Sequence, residues 1–443
     1  MPNVAVVGGG VMGLTLGLRL AQRGHRVRVY EGERRVGGLA SADGIGSWKW
    51  DRFYHVILLS DTALTGLLGE LGLHDRLRWG TTRTGFYTDG RWISLSSALE
   101  FLRFPPLNVV DKGRLAATIL MASRISDPLP LENVGALEWL QRWSGRRTTE
   151  RIWAPLLRAK LGDNANAASA AFIWAIIARM YAARRTGLKR EMMGYVDGGY
   201  DTILPALRRH VERAGVDVVT GAMVTSVRDD GDGASVTIDG GGSASFDSVV
   251  LTVSCPTVSR LCPQLARAEH ERLGRVVYQG VVCPSWLLSR PLAGFYVTNI
   301  TDRSVPFTGV IETTALVDRA TFGGNTLVYL PRYLTQDDAM WNAPDEQVAS
   351  EFFDALCRMV PGLTPADIVA SRVARARDVL AVSTRRYSSD VMPALETSLP
   401  RVFIANSAQI AHGTLNVNET VSLADRQASA LHGRFAARVP AAA

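Results

Sequence analysis

The glycine-rich segment that follows the first apolar run constrains the fold of this chain more than any other feature. The pattern GxGxxG runs through Gly8, Gly10 and Gly13, between a short strand-like run and a helical pattern. In such a turn the first glycine permits the bend, the second lets backbone approach a pyrophosphate, and the third lets helix and strand pack closely. A helix that begins there offers free N–H groups and the positive end of its dipole to an anion. The segment, with Val11 and Met12 inside it, therefore predicts the phosphate turn of a dinucleotide site.

An acidic residue follows at the spacing expected for a ribose contact. Residues 26–30 have the pattern of a second strand, and Glu31 comes directly after it, 23 residues beyond Gly8. A carboxylate at this place accepts hydrogen bonds from the ribose hydroxyls, and it repels the 2′-phosphate of NADP. The position favours NAD or FAD and does not separate the two.

Composition excludes several classes of protein. The 443 residues are 47% hydrophobic and 21% charged, and the formal net charge is +7. The basic residues are scattered without a run of five, so we expect no nucleic-acid partner. Four cysteines without CxxC or CxxH spacing support neither a disulfide framework nor a zinc site. Because no signal sequence and no apolar run of membrane-spanning length is found, the expectation is a cytoplasmic protein.

Helical and strand-like blocks alternate along the chain, which predicts an α/β fold of two interleaved domains. The expected Rossmann-like cofactor domain takes residues 1–80, 190–260 and 380–443. The expected substrate domain, with helices on a mixed or antiparallel sheet, takes residues 81–189 and 261–379. Within these blocks, residues 60–190 have a mainly helical pattern.

One expected helix has two interpretations. Residues 170–185 are apolar on much of the helix surface and end in Arg184 and Arg185. Such a helix can rest on an anionic membrane or form the core of the substrate domain. We favour the core and keep peripheral membrane contact as the alternative.

The residues after Glu31 resemble the extended fingerprint of the amine oxidase and protoporphyrinogen oxidase superfamily of flavoproteins. The resemblance rests on the run Glu31-Gly-Glu-Arg-Arg35-Val-Gly37-Gly38. In such proteins the arginine approaches the pyrophosphate, and the paired glycines let backbone pass close to the cofactor. The resemblance implies FAD, held in this segment by Gly32, Arg35, Gly37, Gly38, Leu39 and Ala40.

Two further segments extend the resemblance over most of the chain. Residues 198–226 are similar to the family's glycine turn, helix and adenine-side strand, with Val224 where backbone pairs with adenine. Residues 401–417 resemble the closing flavin motif, in which a helix N-terminus faces the flavin pyrimidine ring. The cofactor contacts implied by this motif are Asn406, Ser407, Leu415, Asn416 and Val417.

Shorter stretches at 51–57, 153–163 and 306–312 resemble bacterial protoporphyrinogen-oxidase-like proteins. The chain departs from amine oxidases that place a lysine on the substrate strands of the second half, because no lysine follows Lys189. Monoamine oxidases attach FAD through a cysteine in the C-terminal third. The last cysteine here, Cys357, lies in a helical pattern, so non-covalent FAD is expected.

Two ionisable residues are candidate bases for the chemistry. His55 lies in a stretch that the family folds toward the flavin, and its alternative is a hydrogen-bonded structural histidine. Glu312 lies on an apolar strand-like run, where burial would raise the pKa of its carboxyl group, and its alternative is an ion pair with an arginine. His412 adjoins the closing motif and is interpreted as a loop histidine.

The expected activity is dehydrogenation of a C–N or C–C bond in a small or lipophilic metabolite, with hydride transfer to flavin N5. One rival is a non-redox mutase or isomerase similar to UDP-galactopyranose mutase. A second rival is a binding protein of the GDP-dissociation-inhibitor type, against which the intact glycine and arginine segments argue. The substrate and the oligomeric state stay open.

Overall fold

The computed structural model describes residues 2–183 and 192–437, in which strands and helices alternate. The strands are β1 (Asn3–Val7), β2 (Arg26–Glu31), β3 (Ala42–Ile45), β4 (Trp48–Asp51), β5 (Ile57–Leu58), β6 (Leu77–Thr81), β7 (Thr84–Thr88), β8 (Arg91–Ser94), β9 (Met192–Val196), β10 (Asp217–Thr220), β11 (Val224–Asp229), β12 (Ala234–Ile238), β13 (Ser243–Phe246), β14 (Ser248–Leu251), β15 (Tyr278–Leu288), β16 (Val297–Ile300), β17 (Gly309–Glu312), β18 (Thr326–Tyr329), β19 (Arg332–Leu334), β20 (Ile368–Ala381) and β21 (Val402–Ile404). The helices are α1 (Val11–Gln22), α2 (Thr62–Glu70), α3 (Ala98–Arg103), α4 (Val109–Ala122), α5 (Ala136–Ser144), α6 (Arg146–Thr148), α7 (Ala154–Leu161), α8 (Ala170–Ala183), α9 (Tyr200–Arg213), α10 (Cys255–Leu261), α11 (Arg267–Gly274), α12 (Asp345–Met359) and α13 (Val417–Ala437).

Five parallel strands form the sheet that carries the glycine turn, in the order β10-β2-β1-β14-β21. The central strand β1 is apolar from Val4 to Val7, as expected for a parallel strand buried on both faces, and these four residues are at most 4% exposed. Helices α1, α2, α9 and α13 pack on one face. The antiparallel sheet β11-β12-β13 and helix α10 pack on the other. This arrangement confirms the predicted Rossmann-like α/β fold.

A second, eight-stranded sheet is built around the long strand β15. It pairs with β20 on one side and with β18 and β19 on the other, and the sheet continues through β17, β16, β7 and β8. Strands β16 and β7 are parallel and the other pairs are antiparallel, so the sheet is mixed. Its outer face packs on α12 through residues such as Val310 and Val328. Its inner face packs on β4 and β5 through residues such as Ile311 and Tyr329.

Helices α4, α5, α7 and α8 form a separate layer with its own apolar core. The predicted helix at 170–185 is observed as α8, whose residues Phe172, Ile173 and Ile177 are at most 4% exposed within this core. Arg184 and Arg185 lie outside the described residues. Across the two described ranges, no helix combines the length and the apolar character needed to cross a bilayer.

The sequence pattern misjudged part of residues 60–190. Three strands, β6, β7 and β8, lie within this expected helical block. Each has only four or five residues, too short for a clear period-two pattern. Strands β6 and β7 pair with β9 and β16, which are distant in sequence, and β8 pairs with β7. The predicted domain boundaries stay a prediction.

Candidate functional site

The glycine turn lies at the carboxyl end of β1 and has little room for side chains. Gly8 has φ of +113°, a conformation that favours glycine. A Cβ added to Gly13 would lie 1.9 Å from the carbonyl oxygen of Gly8. Strand and helix therefore approach each other more closely than any larger residue allows, as the sequence pattern predicts.

The start of α1 is left open to an anion. Gly10 stands at the N-cap without a capping side chain, and the first turn has no acidic residue. The N–H of Leu14 donates to the carbonyl of Gly10 at 3.0 Å, which is the first hydrogen bond of the helix. A Cβ added to Gly10 would meet only the Cα of Gly38, at 4.0 Å. The N–H groups that precede Leu14 thus face backbone-lined space of the kind that a phosphate occupies.

Gly37 and Gly38 contact the glycine turn. Gly37 donates its N–H to the carbonyl of Gly9 at 2.9 Å, and both Gly37 and Gly38 have positive φ. Arg35 is exposed and has no salt bridge to any residue in the described ranges, which leaves its charge available to a ligand. Of the two residues that follow, Ala40 is buried and Leu39 is 37% exposed.

The Glu31 carboxylate is held at the end of β2 by backbone. Its Oε2 accepts from the N–H of Gly9 at 2.7 Å, and its Oε1 accepts from the N–H of Glu33 at 2.8 Å. Ala222 donates its N–H to the carbonyl of Glu31, so the segment before Val224 lies beside the ribose position. A Cβ added to neighbouring Gly32 would lie 2.5 Å from the Met223 side chain. The structure thus brings together two segments that the sequence places about 190 residues apart.

The closing helix begins beside the first one. Arg19 donates to Asp425 at 2.7 Å and Arg23 donates to Ser429 at 2.9 Å, each pair separated by 406 residues. This constant offset means that α1 and α13 run parallel and that both begin at the same end of the sheet. Two helix N-termini, each with a positive dipole end, therefore face the same space.

Of the closing-motif residues, Asn416 caps α13 by accepting from the N–H of Glu419 at 3.0 Å. Leu415, Val417 and Ser407 are half-buried nearby in sequence. Asn406 is different, since it is 1% exposed and its amide is fully used inside the protein. It accepts from the N–H of Ala408 at 3.1 Å and donates to the carbonyl of Val253 at 2.8 Å. The Asn406 side chain joins the ends of β14 and β21, so the structure does not support it as a cofactor contact.

These features fit FAD. The uncapped start of α1 and exposed Arg35 suit the pyrophosphate, and Glu31 suits the ribose. The start of α13 suits the pyrimidine edge of a flavin, where negative charge gathers on reduction.

His55 is placed in a small separate cavity. Its ring centroid lies 4.7 Å from that of Tyr200, and its Nδ1 lies 3.6 Å from the carboxylate of Asp51. The cavity that they line with Tyr296 has a volume of about 20 Å³, enough for one water molecule. The Nδ1 atom is buried and has no hydrogen-bond partner in the described part of the chain, so the structure does not show the hydrogen-bonded alternative, and the catalytic role of His55 stays a prediction.

Glu312 lies on the outer face of the mixed sheet. It alternates with Ile311, whose side chain is on the inner face, and shares its own face with Val310. The carboxylate accepts from the N–H of Leu292 at 3.1 Å and from the N–H of Gly294 at 2.8 Å. Burial raises the pKa of this carboxyl group, and the backbone hydrogen bonds oppose the shift. Glu312 therefore holds a turn on the far side of the sheet, away from His55. No arginine of the described ranges forms a salt bridge with it, and its catalytic role stays a prediction.

The inner face carries polar groups that sequence reasoning missed. Tyr54 and Tyr333 share a hydrogen bond between their hydroxyls at 2.8 Å. The Nζ of Lys160, at the end of α7, lies 5.8 Å from the centroid of the Tyr333 ring. Lys160, Tyr54 and Tyr333 lie deep inside the protein, yet each keeps part of its side-chain surface accessible. We therefore interpret them as lining an internal space. A signal was present in the sequence, because Lys160 is one of only four lysines in an arginine-rich chain.

Arg179 connects this space to the cofactor side. From α8 it donates to both carboxylate oxygens of Asp61, at 3.1 and 3.2 Å, and to the hydroxyl of Thr414 at 3.1 Å. Thr414 belongs to the loop that leads into α13. Helices α7 and α8, which carry Lys160 and Arg179, share one apolar core. Burial, followed by the charge of Arg179, lowers the pKa of Lys160.

His412, in the same loop, is more than the loop histidine expected. Its Nε2 lies 2.7 Å from the Oε1 of Glu132, which is 2% exposed and also accepts from the hydroxyl and the N–H of Ser388. The pair fixes the loop before α13 to the helical layer.

Comparison with known proteins agrees with this geometry. The family model described as flavin containing amine oxidoreductase matches residues 13–431. Coproporphyrinogen III oxidase of Mycobacterium leprae is 28% identical over 295 residues, which cover 62% of this chain and 64% of that protein. The chain thus matches somewhat less than two thirds of the length of this curated relative.

Two solved structures have a similar fold. A protein of Exiguobacterium sp. 255-15, provisionally assigned as a protoporphyrinogen oxidase, has a TM-score of 0.77 at 17% identity, over 97% of this chain and 98% of the other. Putrescine oxidase bound to putrescine has a TM-score of 0.73 at 21% identity, over 98% and 99%. Since the family model covers nearly the whole chain, and since the glycine turn, Glu31 and the start of α13 fit FAD, this chain belongs to the flavin containing amine oxidoreductases, a family of FAD-binding enzymes.

Proposed function

We propose that the chain dehydrogenates a C–N or C–C bond of a small or lipophilic metabolite, using non-covalently bound FAD. The observation that carries the proposal is the connection between the two sites. Arg179 on α8 bonds to the loop that leads into α13, and α8 shares its apolar core with α7, which carries Lys160 beside Tyr333. A substrate held in that space would stand beside the flavin end of the cofactor.

The cofactor, when bound, supplies a two-electron acceptor at flavin N5. The chain supplies binding, orientation and a dry site. The glycine turn and Glu31 hold the dinucleotide, while the tyrosines on the inner face of the mixed sheet enclose the substrate and exclude water. Lys160 lies on the wall of this space, where burial and the charge of Arg179 lower its pKa to about 8.

The proposal is tested by anaerobic mixing of the purified yellow protein with candidate substrates while the flavin absorbance is followed. The names of the relatives make coproporphyrinogen III the first candidate and putrescine the second. Bleaching of the oxidised flavin by one of them supports dehydrogenation. Acid precipitation should release intact FAD into the supernatant, and flavin that remains with the pellet would contradict non-covalent binding.

A mutase remains the second candidate because reduced UDP-galactopyranose mutase has a TM-score of 0.74 over 98% of this chain, at 14% identity. This likeness concerns the fold alone. Conversion of a sugar nucleotide only after reduction by dithionite would favour the mutase and exclude the proposed reaction.

A further inference from the structure

We propose that Lys160 binds a carboxylate of the substrate, so that the metabolite oxidised here is an organic acid and not a free amine. This inference rests on the proposed function, because it assigns the substrate to the space next to the cofactor.

The first argument is the isolation of the Lys160 ammonium group. Among the residues that the structure describes, no carboxylate forms a salt bridge with it and no acceptor takes a hydrogen bond from it. Burial and the nearby charge of Arg179 lower the pKa of Lys160 to about 8. At pH 7 the side chain is therefore still mostly protonated. A protonated amine enclosed without a partner is costly, and an anionic ligand would remove most of that cost.

A second, independent observation comes from Gln279 on β15. Its side chain is fully buried, its Oε1 accepts from the Nδ2 of Asn164 at 3.0 Å, and its Nε2 has no partner in the described part of the chain. Two residues further along β15, Val281 pairs with Tyr333 of β19. A Cβ added to Gly162, two residues after Lys160, would lie 3.6 Å from that Nε2. An unused N–H donor therefore lies close to the end of α7 that carries Lys160.

The surrounding charges favour an acid over an amine. Arg179 is already neutralised by Asp61, which is 4% exposed at its side chain and accepts from both the Arg179 guanidinium and the N–H of Leu58. Among the described residues no carboxylate pairs with Lys160, so an ammonium substrate entering this space would meet an uncompensated positive charge. A carboxylate would find a charged donor in Lys160 and a neutral donor in Gln279, both of which are unpaired within the described residues.

The test uses the FAD-loaded protein and three small probes of similar shape: benzoate, benzamide and benzylamine. Binding is followed through perturbation of the flavin absorbance, which needs no turnover. Benzoate should bind more tightly than the other two at pH 7. Its affinity should fall as the pH rises through about 8, because Lys160 then loses its charge.

The variant Lys160→Met should weaken benzoate roughly 10- to 150-fold, the loss expected for a charge-assisted hydrogen bond, and leave benzamide unchanged. Lys160→Arg keeps the positive charge and should retain most of the affinity for benzoate. Benzoate binding to this variant should no longer depend on pH between 7 and 9, because arginine stays protonated there. The control Lys49→Met removes a lysine that pairs with Asp201 on the surface, and it should change nothing.

Benzoate that binds equally to the wild type and to Lys160→Met, binds no better than benzylamine, or does not bind at all, would overturn the inference. These outcomes are separate from failure of the proposed function. If benzoate binds through Lys160 but no substrate reduces the flavin, the carboxylate site is supported and the proposed dehydrogenase activity is contradicted.

Discussion

At the scale of single residues, the role expected from a place in a motif fits the contacts of the Glu31 side chain and does not fit those of the Asn406 side chain. Glu31 follows a strand at a spacing that fixes where its carboxylate must lie, so the sequence suffices. Asn406 has partners at the end of β14, about 150 residues away, and no local pattern reveals them. Lys160 was missed because its surroundings come from residues distant in sequence. No local pattern shows that no carboxylate of the described residues pairs with it.

The Glu31 contact is tested by Glu31→Ala, which should weaken FAD binding by about 1.5–3 kcal/mol, or roughly 10- to 150-fold. The reason is the loss of a charged acceptor for the ribose. The dissociation constant is measured by flavin fluorescence after removal and return of the cofactor. Glu33→Ala is the matched control, because that neighbouring carboxylate is exposed. Equal constants for the wild type and Glu31→Ala would mean that Glu31 does not touch the ribose.

The variant Glu312→Gln tests the outer-face placement. It should lower the free energy of unfolding by about 1 kcal/mol, because one of the part-buried backbone N–H groups of the turn faces an amide nitrogen instead of an oxygen. The rate of flavin reduction should stay at the wild-type value, since the sheet separates Glu312 from the inner face. Thermal melts and anaerobic stopped-flow measure the two effects. A rate loss of 100-fold or more with unchanged stability would restore the catalytic hypothesis.

At the scale of elements, the contact between β1 and α1 is the feature that the sequence predicts most fully. Local chemistry alone requires glycine at Gly13, because strand, turn and helix are contiguous. The pairing of α1 with α13 shows the opposite case. Their parallel packing depends on side chains such as Arg19 and Asp425 that meet only in the folded protein.

The close approach of β1 and α1 predicts opposite effects for two substitutions of glycine in a helix. Gly13→Ala should destabilise the protein by about 1–3 kcal/mol or more and impair FAD retention, because its Cβ would overlap the Gly8 carbonyl. Gly66→Ala, in α2 with no atom within 4 Å of the added Cβ, should stabilise by about 0.5–1 kcal/mol. Chemical denaturation of both variants checks this. A Gly13→Ala protein as stable as the wild type would disprove the packing argument.

The interface of α1 and α13 should make stability depend on pH. His25 is 6% exposed, and its Nε2 lies 2.9 Å from the Nδ1 of His432. Burial, followed by the charge of His432, lowers the pKa of His25 below its usual 6.5. The folded state therefore binds this proton less readily than the unfolded state, so stability should be full above about pH 6.5 and fall as the pH drops further. His25→Phe should reduce the slope of melting temperature against pH between 7 and 5. An unchanged slope would assign it to other groups.

At the scale of the whole molecule, polar contacts join the two predicted domains at several places, such as Arg179 with Asp61 and Arg372 with Asp43, and these could not be read from the sequence. Alternation of helical and strand-like blocks indicated interleaving, because composition changes repeatedly along the chain. The pattern of blocks could not indicate which face of the mixed sheet lies on the inner side. A one-residue shift in register would exchange the faces on which Ile311 and Glu312 lie. Nor could the pattern show that a helix of the expected substrate domain reaches the loop before α13.

Arg179 should be the strongest of these connections, because it joins α8 to both Asp61 and Thr414. Removing one partner of a buried ion pair leaves the other charged and unpaired, which typically costs about 3–5 kcal/mol. The Arg179 side chain is 23% exposed, so we expect Arg179→Met to cost about 2–4 kcal/mol and to weaken FAD retention through the loosened loop. The control Arg146→Met breaks a fully exposed helical pair with Glu150 and should leave stability nearly unchanged. Adding Asp61→Asn to Arg179→Met should then recover part of the loss, since the unpaired carboxylate is gone. A cost for Arg179→Met as small as that for Arg146→Met would show that other contacts, such as the pair of His412 and Glu132, hold the cofactor loop on the helical layer.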